Sequence, residues 1–340
     1  MIVGRRLSIA AGAAVAAMVV AGTAHTATAV PEATIVVFPI PTPSAAPTRL
    51  ALGPDGAMWF TEYDYRANKI GRVTFGGEIT EFSIPTPSSS PTGITAGPDG
   101  NMWFTEYSGN KIGRITPDGQ ITEFAVPDGY PFNITAGPDG NLWFTEGSIQ
   151  KESIGRITPD GQVTEFHTFG DGFSAPYDIT AGPDGHIWFT EPGGHYADFV
   201  EEMTTEGVQV GVYYARGDCV NEEGCWPRGI TVGRDGNLWM TDSTGRDVWG
   251  LTTNGEYVNT PYPMPFGGGY LTSGFGSDLW IAGYADGADG LSRMTLDGRF
   301  KESRPLPPGP PTDVEVGQGH QSLWVTSSSG NAIVRITRGR

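Results

Sequence analysis

Seven short apolar runs, each carrying one tryptophan, punctuate the chain at Trp59, Trp103, Trp143, Trp188, Trp239, Trp280 and Trp324, and a Gly-Pro-Asp-Gly turn or a variant of it precedes each run. The intervals are 44, 40, 45, 51, 41 and 44 residues, the length of one four-stranded blade of a β-propeller rather than of a helical repeat. Trp226 and Trp249 stand outside this register. In the second unit the apolar and polar positions resolve into four strands. Ile94 to Gly97 reads as a short inner strand, Pro98-Asp99-Gly100 reverses it, and Met102 to Glu106 runs back. Proline presets φ at such a turn, glycine accepts φ > 0, and the tryptophan run is rich in residues that fit a pleated surface. A turn at 107–110 leads to a third strand, Lys111 to Thr116, and a further Pro-Asp-Gly turn to an outer strand, Ile121 to Phe124, with the alternation of a half-exposed sheet.

The prediction is therefore all-β: a seven-bladed β-propeller of four-stranded blades filling residues 30–340 as a single domain. A ring of blades needs closure, because open sheet edges pair with other chains. Thr34 to Phe38 has the text of an outer strand with no blade of its own before it, and the seventh unit ends after a third strand at Ala332 to Thr337. Residues 34–38 are expected to complete the last blade. The alternative is a loose N-terminal tail beside a three-stranded blade.

Composition adds the compartment. Fifty glycines and 27 prolines fall at repeating turn positions rather than in aperiodic tracts. Met1 to Ala29 stands apart: Arg5-Arg6, an Ala/Val-rich stretch to Gly22 and then Ala27-Thr28-Ala29 read as a cleaved export signal. Leu7-Ser8-Ile9 fits the twin-arginine pattern poorly, so general secretion is the expected route to the outside. An uncleaved anchor is the alternative, although the apolar run is weakly hydrophobic for a span. The net charge of −17, more negative still without Arg5 and Arg6, repels polyanions and excludes nucleic acid as a partner. In an exported protein Cys219 and Cys225 are expected to form a disulfide pinning the longest interval of the series. The expected partner is a small molecule or glycan, the chain is expected to be monomeric, and nothing beyond the signal points to a membrane.

Ile134 to Glu146, reading Ile-Thr-Ala-Gly-Pro-Asp-Gly-Asn-Leu-Trp-Phe-Thr-Glu, and Lys111 to Gly119, reading Lys-Ile-Gly-Arg-Ile-Thr-Pro-Asp-Gly, resemble the repeats of the virginiamycin B lyase, or streptogramin lyase, family. The likeness covers nearly all the chain after the signal and is strongest in blades one to four. It implies a seven-bladed propeller and a magnesium-dependent elimination that opens the ester of cyclic streptogramin B antibiotics. It also implies a general-base histidine after the proline leading the inner strand of a late blade, with acidic groups nearby for the metal. The residues in that column are Thr48, Thr92, Phe132, Tyr177, Arg228, Gly269 and Thr312. None is histidine, and Ser327 and Gly283 stand where the repeat's carboxylate would end the tryptophan strand of the last two blades. A proton beside an ester carbonyl needs a base in reach, so the inherited lyase reaction is in doubt. His195, in a loop expected on the same side, is the weak candidate for a base.

Alternating strand direction brings the starts of the inner strands and the ends of the tryptophan strands to one face. The residues there that the repeat does not demand form the candidate ligand site: Arg49, Phe132, Asn133, Tyr177, Asp178, Arg228 and Asp313. Asp178 and Asn133, with Glu146 and Glu191 from the adjoining strand ends, are oxygen donors of the kind that suits Mg²⁺ or Ca²⁺. The recurring Glu62, Glu106, Glu146 and Glu191, and the recurring Arg72, Arg114, Arg156, Arg293 and Arg335, read as structural. Three functions stay open: a lyase-like propeller binding a small molecule or glycan, a divalent-metal-dependent lyase or lactonase, and a secreted binding module without catalysis.

Overall fold

Met58–Glu62, Met102–Glu106, Leu142–Glu146, Ile187–Glu191 and Leu238–Asp242 are buried along their whole length, as strands sandwiched between blades must be. A computed structural model describes residues 33–337 apart from 128, 148–151, 169–173, 194–197, 216–225, 245, 259–260, 265–266, 275 and 285–289. Its strands form seven four-stranded antiparallel sheets, six of them in simple sequence order from inner to outer strand. The seventh is composite: Asp313–Val316, Ser322–Ser327 and Ala332–Thr337 are completed by Thr34–Pro39. The register runs from Thr34 opposite Thr337 to Pro39 opposite Ala332, so the expected closing strand is present and one residue longer than its sequence signal. The only helix among the described residues is a turn at Gln318–His320.

The seven register tryptophans lie between blades. Trp59 packs with Met102, Phe104 and Ile115 of the next blade, and Trp103 with Leu142 and Phe144 of the one after. Trp324 packs with Met58, Phe60 and Val73, so the contact that closes the ring repeats the contact between any two neighbours. In six blades the indole also stacks on an aromatic ring of its own outer strand, as Trp59 does on Phe82 and Trp103 on Phe124. The glycine of the third strand belongs to this packing: a Cβ on Gly71 or Gly113 would lie 2.1 or 2.0 Å from the ring of Phe60 or Phe104. Trp249, outside the register, is also fully buried and shares a cluster with Trp188, whereas Trp226 is exposed at the rim.

In blade two the inner strand begins earlier than the sequence suggests, at Pro91 rather than Ile94, because it carries a bulge near its start. Pairing jumps from Pro47–Glu62 to Leu50–Phe60, and the same break recurs in blades two, three, five and six. A bulge re-aims side chains, and here the re-aimed positions meet around the axis.

Candidate functional site

In blades one to five the threonine of the tryptophan run anchors the start of the inner strand, whereas blade six has Ala282 at that position. The threonine hydroxyl accepts a backbone N–H at the start of the inner strand of its own blade, Thr61 from Arg49 at 3.2 Å, Thr105 from Gly93 at 2.8 Å, Thr145 from Asn133 at 3.0 Å and Thr190 from Asp178 at 3.1 Å. It then donates to a carbonyl of the next blade, Thr61 to Thr92 at 2.8 Å and Thr105 to Phe132 at 2.7 Å. Thr326 of the last blade donates to Thr48 of the first at 3.0 Å, and the series skips only blade six, where Ala282 has no hydroxyl. These bonds hold the residues that face the axis in register from blade to blade.

Arg49 crosses that axis. Its Nε–H donates to Asn133 Oδ1 at 3.0 Å, Nη1 to Asp313 Oδ1 at 3.4 Å and Nη2 to Asp178 Oδ1, while Cζ lies 3.3 Å from the centroid of the Tyr270 ring. The second oxygen of Asp178 accepts the Ile230 N–H, and that of Asp313 accepts the Leu50 N–H, each at 3.0 Å. One guanidinium thus links blades one, three, four, six and seven, and every carboxylate oxygen around it is occupied. Burial by itself would lower the Arg49 pKa, but Asp178, Tyr270 and Asp313 outweigh it and raise it further, so the guanidinium stays charged. Burial pushes the carboxyls of Asp178 and Asp313 upward against the pull of Arg49.

Above this pin the face is aromatic. Phe132 and Tyr177 lie 4.8 Å apart, Tyr107 lies 5.9 Å from Phe132, and the hydroxyl of Tyr270 donates to that of Tyr177 at 3.1 Å. The Arg228 guanidinium sits 5.7 Å from both tyrosine rings, cation–π geometry. Beside it a pocket of about 390 Å³ is bounded by Arg228, Gly269, Pro310, Pro311, Thr312 and Ser328. Below the pin a second cavity of about 180 Å³ runs down the axis past Thr95, Thr180, Thr231 and Glu315. Burial pushes the Glu315 carboxyl up to about 7.

The seven predicted ligand residues therefore converge: Arg49, Asn133, Asp178 and Asp313 form the pin, and Phe132, Tyr177 and Arg228 stand over it. The four predicted metal donors do not converge. Asp178 and Asn133 face Arg49, whereas Glu146 and Glu191 are fully buried within their blades, and Glu191 Oε1 accepts the Ser174 hydroxyl at 2.5 Å. His195, Cys219, Cys225 and the segment 1–29 lie outside the described residues.

The recurring glutamates are parts of a repeated carboxyl pair. Burial beside Glu81 raises the Glu62 carboxyl to about 8, and burial beside Glu123 raises Glu106 to about 8. Glu81 and Glu123 fall below their ordinary range although burial pushes them up, because Lys69 with Thr42, and Lys111 with Thr86, hydrogen-bond them. Tyr270 lies near the start of an inner strand, on the face the sequence predicts, but neither it nor Glu315 is among the seven expected ligand residues. Their signal is departure from the repeat: Glu315 faces Trp324 where blades two to six have threonine opposite the tryptophan.

Fold and site together define a seven-bladed β-propeller with a one-sided aromatic funnel whose floor is sealed by a buried ion-pair cluster. The model of the virginiamycin B lyase family matches residues 7–213, and the chain belongs to that family. Among solved structures, virginiamycin B lyase from Staphylococcus aureus is similar at 31% identity and a TM-score of 0.79, covering 90% of this chain and 99% of that one. A streptogramin B lyase structure gives 28% identity and the same TM-score over 90% and 98%. A gluconolactonase from Xanthomonas campestris shares the general fold at 16% identity, with a TM-score of 0.56 over 89% and 97%. No curated protein sequence matches significantly.

Proposed function

We propose that this member of the family is exported, holds a small carbonyl-rich molecule in the funnel and releases it intact. The observation that carries this reading is the funnel column itself. Thr48, Thr92, Phe132, Tyr177, Arg228, Gly269 and Thr312 supply aromatic faces and a guanidinium but no imidazole or carboxylate, a lining suited to recognising rings and carbonyls rather than to removing a carbon-bound proton.

The magnesium ion that the family resemblance implies fits the axis poorly. Asp178 and Asp313 each give one oxygen to Arg49 and the other to a backbone N–H, so the donors it would use already serve an organic cation. The alternative, a metal-dependent lyase or lactonase using Asp178, requires Arg49 to leave. The ligand class favoured is a cyclic peptide over a glycan, because a catalytically inactive virginiamycin B lyase from Staphylococcus aureus, 29% identical over 90% of this chain, was solved with quinupristin.

Titrating quinupristin while following tryptophan fluorescence, with chromatographic recovery after incubation with Mg²⁺, tests the proposal. Saturable binding is expected, weakened about tenfold or more by Arg228→Ala, with the ligand recovered unchanged. Ring-opened product would overturn the non-catalytic reading, and absence of saturable binding would overturn the ligand class.

A further inference from the structure

Two blades break the charge pattern of the repeat on the face opposite the funnel: blade five has Gly250 opposite Trp239, and blade four reverses the charge. In blades one, two, three, six and seven the residue opposite the register tryptophan is arginine: Arg72, Arg114, Arg156, Arg293 and Arg335. In four of these blades that arginine lies beside an aspartate of the preceding turn, with Arg72 Nε 2.6 Å from Asp55, Arg293 Nη2 2.5 Å from Asp278, and longer pairs at Asp99 and Asp139. In blade four the residue opposite Trp188 is Glu202. The turn keeps its acid, Asp184, so two carboxylates face one another where those four blades pair an acid with a guanidinium.

A second replacement accompanies the first. Position 186 is histidine where the turns of blades two, three and five carry Asn101, Asn141 and Asn237. His186 Nδ1 stands 2.5 Å from Glu202 Oε1 and 3.9 Å from Asp184 Oδ2, and one ligand atom from each residue lies within 4.8 Å of the others. Both carboxylates are held from behind. The Trp188 Nε1–H reaches the two oxygens of Asp184 at 3.3 and 3.1 Å, and the Tyr213 hydroxyl donates to Glu202 Oε2 at 2.9 Å. Such outer contacts orient the ligands of metal sites.

We propose that Asp184, His186 and Glu202 bind a divalent transition ion of the zinc class, which takes the place of the repeat's guanidinium. One borderline imidazole nitrogen beside two carboxylates is a mixed donor set of the kind that holds Zn²⁺, unlike the all-oxygen sets favoured by Ca²⁺ or Mg²⁺. Three protein ligands leave room for water. The side chain of His186 is 34% exposed and that of Glu202 is 8% exposed, so the ion has an entry path from solvent and a partly dry inner side.

The test uses the untagged, chelator-treated protein titrated with Zn²⁺ by calorimetry, with the melting temperature followed in parallel, since an ion that binds only the folded state raises it. Binding of one ion is expected. His186→Asn restores the residue of the sister turns and Glu202→Arg restores the arginine of the sister strands, so both variants are expected to fold, and each is expected to weaken Zn²⁺ binding by about tenfold or more. Wild-type protein that binds no Zn²⁺, or either variant that retains wild-type affinity, overturns the site and leaves His186 as an imidazole bridging two acids. The readout is independent of the funnel, so failure of the ligand proposal does not affect it.

Discussion

Glu62 and Glu106 show how a repeated residue acquires an energetic role that its recurrence hides. Each is fully buried at the end of a tryptophan strand, beside a second glutamate that lysine and threonine already hold ionised. The first carboxyl of each pair therefore keeps its proton, with burial raising it from 4.5 to about 8. A carboxyl held above its ordinary range binds more protons in the folded chain than in the unfolded one between those two values, so its contribution is complete below the lower value and is lost as pH rises through the upper. Stability is expected to decline between about pH 5 and pH 8, and Glu62→Gln or Glu106→Gln to flatten that decline and add on the order of 1–2 kcal/mol at about pH 9. Denaturant midpoints across that range check it, and a wild-type stability that rises with pH over the same interval would refute it.

Among the elements, the strand Thr34–Pro39 carries the largest consequence for its length. It pairs along six residues with Ala332–Thr337, and Phe38 stacks on Trp324 at 5.8 Å. Val36 and Phe38 lie against the same cluster as Met58 and Phe60 of blade one, so the strand both completes a sheet and seals the joint between the last blade and the first. Deleting residues 30–40 removes this pairing and bares the outer edge of the last sheet. The melting temperature is expected to fall by about 10 °C or more, with aggregation following from the exposed edge. A melt unchanged by the truncation would show that the ring closes without it. This strand was legible in the sequence because an outer-strand phrase stood at one end of the chain and was wanting at the other.

For the whole molecule, Arg49 is the pin on which the blades converge. Removing it leaves Asp178 and Asp313 buried without their counter-charge, and Arg49→Ala is expected to cost about 3–5 kcal/mol in denaturant unfolding. Combining Arg49→Met with Asp178→Asn and Asp313→Asn is expected to recover much of that loss, because it is the unpaired charge rather than the missing contact that destabilises. A single variant as stable as the wild type would mean that water, not Arg49, compensates the carboxylates.

The sequence by itself determined the number of blades, the composite last blade and the packing role of the register tryptophans, because each follows from local periodicity: apolar runs of strand length, turns with fixed residue chemistry, and a repeat that cannot bury its faces except against a copy of itself. It also singled out the residues of the funnel as departures from the repeat. Only the tertiary structure decided what those departures do to one another. Arg49, Asn133, Asp178, Tyr270 and Asp313 belong to five different blades, up to 264 residues apart, and no local pattern says that they meet, still less that the arginine takes the oxygens a metal would have used. The same holds for Glu202, whose partners Asp184 and His186 sit one strand away across the sheet: its departure is visible in the sequence, but its like-charged neighbour becomes visible only when the strands are paired.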